Sequence, residues 1–133
     1  MLTNLVRVLF AVAGLYDFVI GAGFLFVGAA IFDSAGVPHP NHWAYIQFVC
    51  LLLMIFGVMF FAIAYDPAGN RNLIPFGMLL KAAYAGLVAY YWATSGCATL
   101  FKPFAIVDGI MLILFLLAYL QLRRPSAEQV APT

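Results

Sequence analysis

Charge is the scarcest property of this chain. Its 133 residues include six Lys or Arg and five Asp or Glu, so 8% are charged where soluble domains carry about 25%. Hydrophobic residues make up 66%, against roughly 45–50% in soluble domains. A domain this short leaves a large share of its chain at the surface, so no soluble fold of this size hides so much apolar side chain. The solvent is therefore read as lipid, and the chain as one domain. A net charge of +1 supplies neither the basic field that attracts nucleic acid nor an acidic tail.

Other shortages narrow the chemistry. Two cysteines, Cys50 and Cys97, are too few for a disulfide scaffold, and they form no Cys-x-x-Cys. That argues against thiol-redox catalysis, which needs adjacent attacking and resolving thiols. The two histidines, His39 and His42, fall outside the apolar runs, so no pair is placed to ligate haem in the membrane. Ser34, Ser95 and Ser126 are the only serines, and none neighbours a histidine and an acid. Gly-x-Ser-x-Gly, phosphate-loop and His-Glu-x-x-His patterns are missing. These gaps point away from an enzyme and supply no resident cofactor.

What the chain does have is four long apolar runs. A hydrocarbon core of about 30 Å takes roughly 20 helical residues to cross. Leu5–Phe32, Trp43–Tyr65, Leu73–Trp92 and Phe104–Leu122 each qualify, the first being long enough to need tilt. The segments between them, "DSAGVPHPNH", "DPAGNRN" and "ATSGCATLFKP", hold the Gly, Pro, Asn and Asp of loops. Asn72 is expected to cap the third helix, with Pro75 in its first turn. The tail over residues 123–133, polar and proline-containing, is expected to be disordered and cytoplasmic. The first run, preceded by Arg7, has a superficial likeness to a signal peptide, but its length and Asp17 predict a retained helix. The fold expected is an all-α bundle of four transmembrane helices.

Basic residues set orientation. Four spans put both termini on one side, together with Arg7, Arg71, Arg123 and Arg124, while Lys102 alone lies on the other. By the positive-inside rule both termini are expected in the cytoplasm of a bacterial-type inner membrane. Trp43, Tyr45, Tyr90, Tyr91 and Trp92 then form an outer aromatic belt, with Tyr65 and Tyr119 near the inner face.

Three ionisable residues fall within the runs: Asp17, Lys81 and Asp108. Counting from the inner helix ends at 1.5 Å per residue, Lys81 lies about 12 Å deep, Asp17 about 18 Å and Asp108 about 21 Å. A charge at the bilayer centre costs about 2.5–3.5 kcal/mol, so such residues face the bundle interior and pair. Asp17 is the first expected partner of Lys81 and Asp108 the second. Gly14, Asp17, Gly21 and Gly28 share a stripe of helix one, where small residues let helices approach, and Gly77, Lys81, Tyr84 and Val88 share a face of helix three. Three readings stay open: an ion pair that fixes helix register, a proton-handling or polar-ligand site, and Lys81 snorkelling to the inner interface.

Two loops carry weaker signals. Asp33, His39 and His42 lie within ten residues and invite a metal, but their spacing matches no zinc motif, and the prolines between them suggest an extended loop. Arg71 is expected to pair with Asp66 or a lipid phosphate, or to act as a topology arginine in a capped turn.

The order of features resembles the small four-span DoxX-like membrane proteins, including a branch of short bacterial proteins. The matching pieces are "GLYDFVIGAGFLFVGAAIF", "AGVPHPNH", "LLLMIFGVMFFAIAYDP", "NRNLIPFGMLLK" and "FAIVDGIMLILF", which span most of the chain. The resemblance implies a link, in some members, to quinone-reducing membrane complexes, and it transfers no catalytic residues. The function expected first is a non-catalytic accessory or assembly subunit of a larger membrane complex. The alternative is a binder or carrier of a quinone or lipid between the helices, with Lys81 and Tyr84 as polar contacts. A third is a self-associating, proton-coupled transporter.

The orientation is checked by placing a thiol in the tail. In a background without the native cysteines, Glu128→Cys should resist a membrane-impermeant maleimide in intact cells and react after permeabilisation. Efficient labelling from outside reverses every assignment of side.

Overall fold

The computed structural model describes residues 1–123; the tail expected to be disordered lies outside the described residues beyond Arg123. Four helices are each long and apolar enough to cross a membrane, and the described residues contain no strand. They are α1 (Leu2–Ala35), α2 (Ala44–Tyr65), α3 (Ile74–Ala93) and α4 (Lys102–Arg123), with single 3-10 turns at Arg71–Leu73 and Thr99–Phe101 before α3 and α4. The chain is an all-α, multi-pass membrane bundle.

Local chemistry sets the helix ends. α1 runs past Phe32 because Gly36, at φ 68°, takes the left-handed conformation that closes a helix. The Gly36 N–H donates to the Asp33 carbonyl and the Val37 N–H to the Phe32 carbonyl, satisfying the last turn. α2 stops at Asp66, whose successor Pro67 disfavours a helical conformation before it. The Ala62 carbonyl accepts the Asp66 N–H at 3.1 Å and the Asn70 side-chain amide at 2.8 Å, so the turn is bound back onto the last turn of α2. Asn72 does not cap α3: it lies inside the 3-10 turn, and Leu73 occupies the cap position with no side-chain bond. The tight turn already supplies acceptors to the first amides, and Pro75 removes one amide that would need a partner. Trp43, expected as the first residue of α2, is its cap.

α1 packs along α2, and α3 along α4. Lipid offers no hydrophobic drive for helices to associate, so close backbone approach matters more than it does in water. A methyl on Gly14 would come within 2.8 Å of the Gly57 carbonyl oxygen, and one on Gly57 within 2.8 Å of the Gly14 carbonyl oxygen. Gly21 repeats this one level further along, against the Cys50 carbonyl. The α1–α2 seam therefore rests on backbone touching backbone.

The two pairs meet firmly at one end only. Val6, Phe10 and Ala13 of α1, Phe60 and Ile63 of α2, Ile74 of α3, and Met111, Phe115 and Ala118 of α4 form the core at the end where α1 begins and α4 finishes. Phe10 and Phe115 stack at 4.5 Å between centroids, and Phe60 meets Phe115 edge-on at 5.1 Å, both favoured aromatic arrangements. Towards the other end α2 and α3 diverge. There α1 kinks at Val27 (φ −128°, ψ 25°), and its last turns bring Phe32 to Trp43 and Phe101, at 5.3 and 6.2 Å between ring centroids.

Arg71 makes an anchor the sequence did not suggest. Its guanidinium lies 3.8 Å from the centroid of the Tyr119 ring, and its Nε donates to the Tyr119 carbonyl at 3.3 Å. It does not pair with Asp66, whose carboxylate accepts the Gly69 N–H within its own turn. On the opposite side Lys102 sits over Trp92 at 4.6 Å. Tyr90, Tyr91 and Trp92 are exposed at the end of α3, whereas Trp43 is half-buried against Phe32.

The glycine seam predicts an asymmetric response to one added methyl. Gly14→Ala should lower stability by about 1–3 kcal/mol, the usual cost of overpacking. Gly86→Ala, with open space around it, should leave stability unchanged or slightly raised. Thermal unfolding in detergent compares the two.

Candidate functional site: a lysine bridged by two acids beneath an apolar cavity

Lys81, on the inner face of α3, is fully buried. Its Nζ donates to Asp17 Oδ1 of α1 at 2.7 Å and to Asp108 Oδ1 of α4 at 3.0 Å. The lysine thus joins three helices. Asp17 is 2% exposed and Asp108 6%, so the cluster is shielded from lipid. The ammonium also lies 5.4 Å from the centre of the Tyr16 ring and 5.7 Å from that of Phe60, within cation–π range. Lys81 does not snorkel to an interface; both acids hold it in place.

Helix-end counting had put Lys81 well below the two acids. The Arg71–Tyr119 anchor explains how Lys81 comes level with Asp108. Tyr119 lies inside α4, so the loop before α3 tucks under the bundle, and Ile74 at the start of α3 is fully buried. From Arg71 to Lys81 is about 15 Å along the chain, and from Tyr119 to Asp108 about 16 Å. Measured from this shared level, the ammonium and the carboxylate arrive at nearly the same height.

Above the cluster, on the side away from the phenylalanine core, lies a cavity of about 400 Å³. Ile20, Phe24 and Phe32 of α1, Ile46, Val49 and Leu53 of α2, Ala83 and Leu87 of α3, and Phe104 of α4 line it. Its polar lining residues are Tyr16, Asp17, Tyr84 and Asp108. Val49 and Leu87 are 53% and 59% exposed, so the wall between α2 and α3 opens sideways, towards the hydrocarbon. Its volume falls in the range of small-molecule sites, about 300–1,000 Å³.

Two polar atoms at this floor are buried and have no hydrogen-bond partner in the protein: Tyr16 Oη and Asp17 Oδ2. Such atoms are rare, and each costs about 1–3 kcal/mol if nothing meets it. Tyr84, named from the sequence with the charged residues, is not bonded to them. Its hydroxyl donates to the Phe101 carbonyl at 3.1 Å and ties α3 to the turn before α4. Tyr16 is the residue that sequence reasoning missed. The available signal was a phenol beside an intramembrane acid, which a search limited to charged residues passes over.

The other sequence candidates lie elsewhere. His39 Nε2 and Asp33 Oδ1 are 2.7 Å apart on the surface. His42 Nδ1 accepts the Ala44 N–H at 3.1 Å, so that nitrogen is occupied at the start of α2. Among the described residues no three His, Cys, Asp or Glu side chains gather as a metal site. Cys50 and Cys97 are both free thiols.

Compared with family models, curated proteins and solved structures, the chain finds no match. The DoxX-like resemblance therefore rests on its motifs alone.

The cluster predicts non-additive mutational losses. Lys81→Met leaves two carboxylates facing each other without their cation and should cost about 3–5 kcal/mol, as does breaking a buried pair from one side. Asp17→Asn and Asp108→Asn should each cost less, because Lys81 keeps one acid. The triple neutral variant should recover part of the Lys81→Met loss. A mutant cycle on unfolding in detergent measures this, and purely additive losses would rule out the coupling.

Proposed function

We propose that this chain is a non-catalytic membrane protein that binds a lipophilic small molecule in its intramembrane cavity. It sits in a bacterial-type inner membrane with both termini in the cytoplasm. The observation that carries the reading is an apolar cavity of about 400 Å³ whose lining includes Tyr16, Asp17 and Asp108, the first two each with a buried polar atom lacking a partner. A ligand with an apolar body and one polar head suits both features. The body replaces lipid contacts along Phe24, Val49, Leu87 and Phe104, and the head meets Tyr16 and the acids. The lateral gap between α2 and α3 gives such a molecule a route from the bilayer that never crosses water.

The polar contacts in this reading differ from those suggested by the sequence. Lys81 has no exposed surface and both its strong bonds are internal, so it positions Asp17 and Asp108 and does not touch the ligand. Tyr84 contributes its ring, since its hydroxyl is engaged. A quinone or a lipid has the required shape, and the motif resemblance to DoxX-like proteins leans the same way. The orientation rests on the arginines clustered on the side of the termini.

The test is to ask what the protein retains. Purified in mild detergent, it should carry a lipophilic molecule visible by native mass spectrometry. Ala83→Phe, which fills the cavity from the α3 side, should lose that molecule without lowering yield or helical content, and its melting temperature should fall only to that of the unliganded wild type. A stoichiometric companion chain with nothing bound in the cavity would favour the accessory-subunit reading instead. A symmetric homo-oligomer that moves protons would favour the transporter.

A further inference from the structure

The floor of the cavity carries an uneven number of charges. Lys81 contributes one ammonium and Asp17 and Asp108 two carboxyl groups, all at least nine-tenths buried. Both acids line the cavity, and among the described residues no Lys, Arg or His does; Lys81 lies behind them. The fully ionised cluster therefore carries one excess negative charge, which hydrocarbon solvates poorly.

The excess has a direction. Each acid gives Oδ1 to Lys81, and Asp17 Oδ2 is buried without a partner. The ammonium has a fixed place beneath, and the open apolar space lies above. Along that space run Tyr16, Phe104 and Phe24, with successive ring centroids 6.4 and 6.2 Å apart. Carboxylates and aromatic rings together are what stabilise organic cations. Acceptor-only heads, such as quinone carbonyls, would face acceptor oxygens and could use as donors only the Tyr16 hydroxyl and the weak Cys50 thiol.

We infer that the cavity selects a lipophilic cation, an organic ammonium with an apolar tail, whose head completes the Asp17–Lys81–Asp108 cluster. This rests on the proposed binding function and adds the charge of the ligand. A proton would also cancel the excess, but it fills none of the cavity. The cation instead satisfies both features at once: the head answers the charge, and the tail lies along the apolar walls towards the α2–α3 opening.

The test compares three probes that share a decyl chain, using the full-length protein in detergent: decyltrimethylammonium, decanol and decylubiquinone. Saturable binding is read by native mass spectrometry and by ligand-induced thermal shift. Decyltrimethylammonium should bind at least about tenfold more tightly than either neutral probe, as a charge-assisted contact allows. Asp108→Asn should bring that ratio close to one, and Ala83→Phe should abolish binding of all three. The comparison on the unmodified protein decides the matter even if the Asp108 variant does not fold. Equal binding of cation and alcohol, or preference for decylubiquinone, overturns the cation inference while the binding function stands. Saturable binding of none of the three overturns both.

Discussion

A lysine ammonium in hydrocarbon must find oxygen atoms, and the way the two helical hairpins of this bundle are joined at mid-height follows from where Lys81 finds them. It cannot bond to its own helix, whose carbonyls are already used, so its partners must come from other helices. Asp17 and Asp108 are the intramembrane acids of α1 and α4, and Lys81 reaches both. Lipid provides no hydrophobic drive for helix association, so one bridge that joins three helices does what a large apolar core does in water. The bridge is specific as well. Turning any of the three helices by about 100°, one residue, would swing its charged group off the shared face into lipid.

The bridge also divides the bundle into two unlike halves. Below it, three phenylalanines from three helices close the interior at the end where α1 begins and α4 finishes. Above it, the same four helices enclose space. The difference traces to what each pair can hold alone. The α1–α2 seam is set by glycines at Gly14, Gly21 and Gly57 and does not need α3. Arg71 pins the start of α3 to α4, and Tyr84 and Lys102 secure the far end of that pair. Each hairpin has its own contacts along its length; the lower core and the charged bridge join the two across all four helices, whereas above the bridge aromatic contacts tie α1 to α4 and the turn before it. Divergence at the upper end then costs no seam, and the opening between α2 and α3 follows.

How much of this the sequence disclosed depends on the range of the interaction. The four helices were legible because span length and composition are local, and so were the glycine stripe of α1 and the identity of the three buried charges. The helix ends were partly legible: Gly36 extends α1 beyond the expected Phe32, since a left-handed cap is decided by a single residue's conformation. Asn72 looks like a cap in the sequence and is not one, because a 3-10 turn competes with its side chain for the same amides. Least legible was depth. Helix-end counting placed Lys81 below its partners because nothing in "DPAGNRN" announces that Arg71 lies over Tyr119, 48 residues away. The cavity was invisible for the same reason, since space between helices belongs to no segment. Tyr16 became a candidate only when its hydroxyl was seen buried and unmet.

The cluster need not be assigned to architecture or to function alone, because its parts are unequally used. One oxygen of each acid holds the bundle together through Lys81. Asp17 Oδ2 and Tyr16 Oη contribute nothing to that bridge and carry the cost of burial without a bond. If architecture were their only role, an amide or a hydroxyl could hold the helices without an excess charge, and a phenylalanine could stand at position 16. Lys81 serves the ligand site indirectly in the same way. It keeps two acids close together in hydrocarbon, where without its charge they would repel, and so holds both in the lining of the space above. The structural bridge is the means by which a polar floor can exist beneath an apolar cavity.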